Sequence, residues 1–168
     1  MSNDSKIQRS VSTYLKTIIS GGQTGVDRAA LDVAIFLEIP HGGWCPRGRV
    51  AEDGIIPHVY RLKETESSDY AQRTEKNVVD SDATLILFFT TITGGTSLTR
   101  KLASTYRRHY LEIDLAQLED HRHSLVQKVR DWICDNQIRT LNIAGPRAST
   151  HPRITELAES FLVEALRD

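Results

Sequence analysis

Cysteine is nearly missing from this chain: Cys45 and Cys134 are the only two among 168 residues, far apart and in no close-spaced ligand set. That excludes a disulfide framework and a structural cysteine-rich zinc site. Charge of one sign is lacking as well, with 21 Lys and Arg set against 22 Asp and Glu. The resulting net charge of -1 gives no bulk attraction to nucleic acid or to an anionic membrane, so neither is expected as a partner. Long hydrophobic runs are absent. The longest, Val33 to Leu37 and Leu85 to Phe89, fall far short of the ~20 residues that cross a bilayer. The opening MSNDSKIQRS has no signal-peptide core, and a cytoplasmic location is the expectation. What remains, 39% hydrophobic and 26% charged residues, is the composition of a globular protein of one domain's length. The expected division is a flexible polar stretch at 1–12 followed by a single domain over 13–168.

Periodicity supplies the architecture. LKTIIS, Leu15 to Ser20, reads as a buried strand running straight into GGQTG. Val26, Ala29, Ala30, Val33, Ala34 and Leu37 then recur at steps of three and four, which places them on one face of a helix. Glu38 to His41 fits a short strand, Asp69 to Asp80 a polar helix capped by Ser67 or Ser68, and ATLILFF a core strand beginning at Ala83. Beyond it the pattern predicts a helix over 97–108, a strand over 110–114, a helix carrying Leu118, Leu125, Val129, Trp132 and Ile133, and a strand over 139–143. A closing helix follows, with Ile154, Leu157, Ala158, Phe161, Leu162 and Ala165 on one face. This alternation predicts an α/β, doubly wound, mostly parallel sheet of about five strands with helices on both faces. The candidate strand order is 2-1-3-4-5, which would make the first and third strands neighbours and set their following loops at one ligand crevice.

Three loops fall at the carboxyl ends of those strands. In the first, Gly21, Gly22, Gln23, Thr24 and Gly25 open a helix, where backbone N–H groups and the dipole favour an anion. Thr24 and Asp27 also have the spacing of a reciprocal helix cap, and Asp27 would add negative charge beside any phosphate. The loop matches neither the dinucleotide fingerprint nor the Walker pattern. The second, Thr93-Gly94-Gly95-Thr96-Ser97, again opens a helix, with Thr96 or Ser97 as a cap. In the third, Arg147 could meet an anion or a surface carboxylate, and Thr150 could cap the last helix, with Pro152 in its first turn. The segment His41 to Gly54 carries Trp44, a flat ring, and Arg47 and Arg49, which could bind acidic groups. Its other reading is a folded lid with Trp44 packed on the body. Tyr70, Arg73 and Asn77 share one side of a helix and either line a pocket or brace the next strand. Asp82 reads as structural and Trp132 as helix packing. His41 with Cys45 falls short of a metal set, and His109, His121, His123 and His151 have no metal spacing. No metal ligand and no catalytic residue is assigned.

The blocks IISGGQTGVDRAALDVAI, IPHGGWCPRGRVAEDGIIP, YAQRTEKNVVDSDATLILF and TGGTSLT together resemble the molybdenum cofactor carrier proteins, a branch of the Rossmann-like nucleotide-binding proteins. The similarity runs from about Thr17 to Asp114 and more loosely through NIAGPR. It implies a Rossmann-like fold and a cytosolic, non-catalytic homo-oligomer. Such a protein would bind the phosphorylated pterin (molybdopterin) form of molybdenum cofactor and pass it to a molybdoenzyme or cofactor-insertion protein. It points to Gly21 to Asp27, Gly43 to Asp53 and Gly94 to Ser97. The expected arrangement has both Gly-Gly loops on the terminal phosphate, Arg47 or Arg49 adding charge, Trp44 shielding a ring face, and the 42–54 segment closing over them. At greater distance the chain resembles the lysine-decarboxylase-like nucleotide phosphoribohydrolases with their P-G-G-x-G-T-x-x-E loop. TGGTSLTR departs from it: Thr93 replaces the proline, the glycine before threonine is missing, and Thr99 stands where the glutamate belongs. The alternative is a nucleotide-binding sensor or a nucleotide-processing hydrolase using Asp27, Glu52 or Asp53, with a plain interaction scaffold third.

Overall fold

The computed structural model describes residues 10–168. A short helix α1 (Val11–Tyr14) leads into β1 (Thr17–Ile19), α2 (Val26–Phe36) and β2 (His41–Gly42). Four two-residue strands follow, β3 (Trp44–Cys45), β4 (Val50–Ala51), β5 (Gly54–Ile55) and β6 (Lys63–Glu64). The chain continues through α3 (Tyr70–Val79), β7 (Ala83–Phe88), α4 (Gly94–Thr105), β8 (His109–Asp114), α5 (Leu118–Asp135), β9 (Thr140–Ala144) and α6 (Ile154–Leu166). Of the stretch expected to be flexible at 1–12, residues 1–9 lie outside the described residues. Val11 and Ser12 belong to α1, and Val11 is buried in the core.

The five-stranded sheet is parallel throughout, in the order β2-β1-β9-β7-β8. Counting only these five strands along the chain, that is 2-1-5-3-4, not the expected 2-1-3-4-5. The last strand occupies the centre, pairing Ile18 with Leu141 on one side and Thr84 with Asn142 on the other. Side-chain chemistry explains the placement. TLNIA of β9 is buried over its last four residues, whereas HYLEID of β8 leaves His109 and Tyr110 exposed, as an edge strand must. Asp82, at the amino end of β7, accepts the Arg139 and Thr140 N–H groups at 3.0 and 2.8 Å and so fixes where β9 begins. Helices cover both faces. α2 packs on α6, and α6 on α5, while α3 packs against α4. Ala29, Ala30 and Ala34 on α2 are fully buried, and their small side chains let it lie close to its neighbours. Ser12 N donates to Asp168 Oδ1 at 3.2 Å, so the two ends of the described chain meet.

The residues from 43 to 66 make an annex on this body. β3 pairs parallel with β6, and β4 forms a hairpin with β5. Cys45, Ala51, Ile56 and Tyr60 of the annex gather on Leu31 of α2 in a second small core.

Candidate functional site

Because β9 lies between β1 and β7, its carboxyl-end loop is inserted between the two Gly-Gly loops that the sequence would have made direct neighbours. The three loops meet nonetheless. They enclose a cavity of ≈ 340 Å³ lined by Gln23 and Asp27 from the first, Gly94, Gly95 and Thr96 from the second, and Gly145, Pro146, Arg147 and His151 from the third. Tyr70 and Arg73, one helical turn apart on α3, form a further wall.

The first loop is packed against protein. A Cβ at Gly25 (φ 80°) would fall 2.4 Å from the Pro146 carbonyl oxygen, at Gly21 against Arg73, and at Gly22 against Leu62. These glycines admit neighbouring protein atoms, and none of the three lines the cavity. The reciprocal cap expected of Thr24 and Asp27 does not form, because Gly25 is the N-cap and carries no side chain. Thr24 Oγ1 instead accepts from Ala148 N at 3.1 Å and donates to Glu52. Asp27 accepts from Arg73 Nη1 at 2.8 Å and Gln23 N at 3.3 Å. Its side chain is 4% exposed and that of Arg73 13%. Burial pushes the Asp27 carboxyl above its ordinary value, with the Arg73 guanidinium and the Gln23 N–H pulling the other way.

The second loop has the opposite character. Nothing lies within 4 Å of a Cβ built at Gly94 or Gly95. α4 begins at Gly94 after the N-cap Thr93, without a side-chain cap bond and without an acidic residue in its first turn. Neither Thr96 nor Ser97 caps it; Thr96 lines the cavity and Ser97 does not. Unpaired N–H groups and the positive end of the α4 dipole therefore face open space, the property of an anion seat. Thr99 turns its hydroxyl onto the Gly95 carbonyl at 3.0 Å.

Two buried donors beside this seat have no partner, Gln23 Nε2 and Arg73 Nε. Each costs about 1–3 kcal/mol while unpaired. The third loop contributes Arg147, which lies 3.9 Å from Glu52 and within 5.9 Å of the Tyr70 ring. Thr150 does not cap α6, whose N-cap is Arg153 with no side-chain bond.

The annex residues go elsewhere. Arg49 is buried, with φ 54°, and its guanidinium donates to the carbonyls of Ile56, Leu62, Pro57 and Tyr60 at 2.9 to 3.2 Å. It holds the annex together. Trp44 is directed to α3 by the pairing of β3 with β6. There Asn77 bonds its backbone N–H and carbonyl, its Nε1 donates to Asp80 at 2.7 Å, and Lys76 Nζ sits 4.1 Å from its ring centroid. Arg47 is exposed on the turn 47–49. None of Trp44, Arg47 and Arg49 lines the cavity, and Glu52 fastens the annex to the third loop, accepting from Ser149 N and Oγ at 3.1 and 2.6 Å. Burial pushes the Cys45 thiol up, which keeps it protonated and unreactive. Among the described residues no group of three His, Cys, Asp or Glu is placed to hold a metal.

The sequence did not disclose the ring pair at the cavity wall. Phe89 and His151 stack with centroids 3.9 Å apart. A three-residue turn aims Phe89: Thr91 N donates to the Phe89 carbonyl at 2.7 Å, and Thr90 between them has φ 64°. That value is unfavourable for a β-branched residue, and no glycine marks the turn.

A parallel α/β sheet with an uncapped, glycine-opened helix N-terminus at its carboxyl edge defines the Rossmann-like class of nucleotide-binding folds. Within that class, the chain belongs to the circularly permutated YpsA SLOG family, whose model matches residues 18–166. It is similar to a solved structure from Syntrophus aciditrophicus SB whose name assigns it, provisionally, as a molybdenum carrier protein. The two share 45% identity with a TM-score of 0.86, over 91% of this chain and 95% of the other. No curated protein matches the chain.

Proposed function

We propose that this protein holds the phosphorylated pterin form of the molybdenum cofactor and hands it on unchanged. The observation that carries the reading is the open α4 N-terminus at Gly94 and Gly95, next to two unpartnered buried donors. A cavity of ≈ 340 Å³ is within the range of small-molecule sites, and the two unpartnered donors on its lining residues fit an oxygen-rich, anionic ligand. The N–H groups of Gly95 and Thr96 would hold the phosphate, Arg147 would add charge, and Tyr70 with the Phe89–His151 pair would offer faces to a flat ring. The molybdenum chemistry itself belongs to the recipient enzyme. The name of the Syntrophus protein supports the same cargo.

Carriage without catalysis is supported by how the acids are used. Glu52 is tied to Thr24 and Ser149, and Asp53 pairs with Arg28, Nη2 to Oδ1 at 2.7 Å. Among the described residues Asp27 is the one carboxylate lining the cavity, and Arg73 holds it. A nucleotide-processing hydrolase would therefore have to use Asp27, and a nucleotide sensor would need only the α4 seat. The recipient in this reading is a molybdoenzyme or insertion protein in the cytoplasm; no described helix is long and apolar enough to cross a membrane. Self-association is part of the proposal. Ile56 is buried in the annex, but Ile55, Val59 and Val50 remain exposed beside it, an apolar group suited to a second copy.

Mass spectrometry of ligand released from gently purified protein tests the reading, with Gly95→Trp as its partner experiment. Open space at Gly95 means the bulky ring should leave the fold intact and fill the seat. Molybdopterin is expected from the wild type and none from the variant at equal Tm. Recovery of a nucleotide would turn the reading to a sensor, and equal occupancy in Gly95→Trp would remove the α4 seat from it.

A further inference from the structure

Resting on the reading above, we infer that the Gln23 carboxamide is a specificity-determining donor of the cavity, fixed in orientation so that its amino group reads an acceptor oxygen of the ligand. The carboxamide oxygen is already committed. Gln23 Oε1 accepts from Thr24 N at 3.0 Å and from Glu52 N at 3.0 Å. Two converging N–H groups decide which end of the amide is oxygen, because the flipped form would set an NH₂ group against both. The two clamping groups come from different elements, the first loop and the β4–β5 turn. Glu52 is held in place in turn by its carboxylate bonds to Thr24 and Ser149. Gln23 is 5% exposed, lines the cavity, and its Nε2 has no partner. Arg73 Nε, on the α3 side of the same cavity, is a second orphaned donor. The adjacent carboxylate does not satisfy them, since Asp27 Oδ2 is taken by Arg73 Nη1 and Gln23 N. A pair of fixed buried donors accepts a ligand oxygen, whether of a phosphate or of a ring carbonyl, and rejects an amine or ammonium at the same place.

Replacement Gln23→Glu is the discriminating variant. One carboxylate oxygen can keep both backbone N–H bonds, so the fold should be retained, while the cavity-side atom changes from donor to anion; burial beside Asp27 raises that carboxyl, so Tm should fall at pH 7.5 and return toward the wild-type value at pH 5.5. GMP, which carries both kinds of oxygen, and inorganic phosphate are the probes, followed in ¹H–¹⁵N spectra that detect weak binding. With GMP the Gly95 amide and the Gln23 side-chain amide should both shift downfield. A Gln23 shift with inorganic phosphate as well assigns the oxygen to phosphate; a shift with GMP alone assigns it to the ring carbonyl. Gln23→Glu should weaken GMP at least tenfold at pH 7.5 and recover relative to wild type at pH 5.5, as the introduced carboxyl takes up a proton and donates. Gln23→Met should weaken binding without that recovery. A shift at Gly95 with none at Gln23, or unchanged GMP affinity in Gln23→Glu, overturns this inference alone. No shift at Gly95 with either probe overturns the phosphate seat and the inference with it.

Discussion

Removal of the Arg73 guanidinium tests the buried pair at the base of the cavity. In Arg73→Met the side-chain volume is nearly kept, but Asp27, 4% exposed, loses its counter-charge and retains the 3.3 Å bond from Gln23 N. Stripping one partner from a buried pair costs about 3–5 kcal/mol. Asp27 has a way out, which is to bind a proton, and protonating an ordinary aspartate at pH 7 costs about 4 kcal/mol. The electrostatic loss at neutral pH is thus limited to about 3–4 kcal/mol, worth roughly 6–16 °C in Tm for a chain of this size. Burial already raises the Asp27 carboxyl, and the variant raises it further. A carboxyl raised in the folded state contributes stability below its unfolded value and loses it as pH climbs through the folded value. The deficit of Arg73→Met should therefore shrink by up to about 1.4 kcal/mol per pH unit below neutrality, until the wild-type carboxyl itself takes up its proton. Urea unfolding of wild type and variant between pH 4 and 8 measures it. A deficit below about 1 kcal/mol at pH 7, or one that does not change with pH, would refute the account of the pair.

Glu52→Gln should loosen the fastening of the annex by about 1 kcal/mol, a modest loss because water reaches the carboxylate. Burial opposes ionisation of Glu52, but the Ser149 and Thr24 donors and Arg147 outweigh it and hold the carboxyl below its ordinary value. The contribution is thus present above that ordinary value and fades as pH falls through the folded one, so calorimetric melting curves of wild type and variant should converge below about pH 4. Thr90→Asn should stabilise by about 1 kcal/mol, because asparagine tolerates the positive φ of the turn where threonine does not; a lower Tm for Thr90→Asn would show that Thr90 carries no strain.

The elements were largely legible because each has one apolar face of the right period: the alanine and valine stripe of α2, the continuous ATLILF of β7, and the Ile154 to Ala165 face of α6. Strand order was not, since local pattern says that a strand is buried and not beside which neighbour. One signal was available: Tyr110, Glu112 and Asp114 alternating with Leu111 and Ile113 in β8, against TLNIA in β9, distinguishes an edge from a centre. The ends of helices misled. Thr24, Thr96, Ser97 and Thr150 stand where caps belong, but Gly25, Thr93 and Arg153 occupy the N-cap positions without side-chain bonds. Glycine pairs looked alike in sequence, although one contacts protein atoms and the other faces open space. For Trp44 the sequence leaves two readings open, a ring over the ligand or a side chain packed on the body, and the structure has the second; the four carbonyls around Arg49 and α3 beneath Trp44 are long-range facts that no local motif encodes.

The central position of β9 bears on how the molecule comes to exist on a ribosome. While residues up to about 135 are being made, β1 with β2 and β7 with β8 can form only as two separate ribbons, each with its inner edge bare. Those edges carry Ile18, Leu85 and Leu87, residues fully buried in the finished fold. One late-synthesised strand then fills the slot and supplies the hydrogen bonds of both edges at once. Bare strand edges are the commonest template for wrong pairing between chains. A stalled or truncated product ending before Thr140 would thus be a sticky species, and closure of the sheet must wait until β9 has been translated.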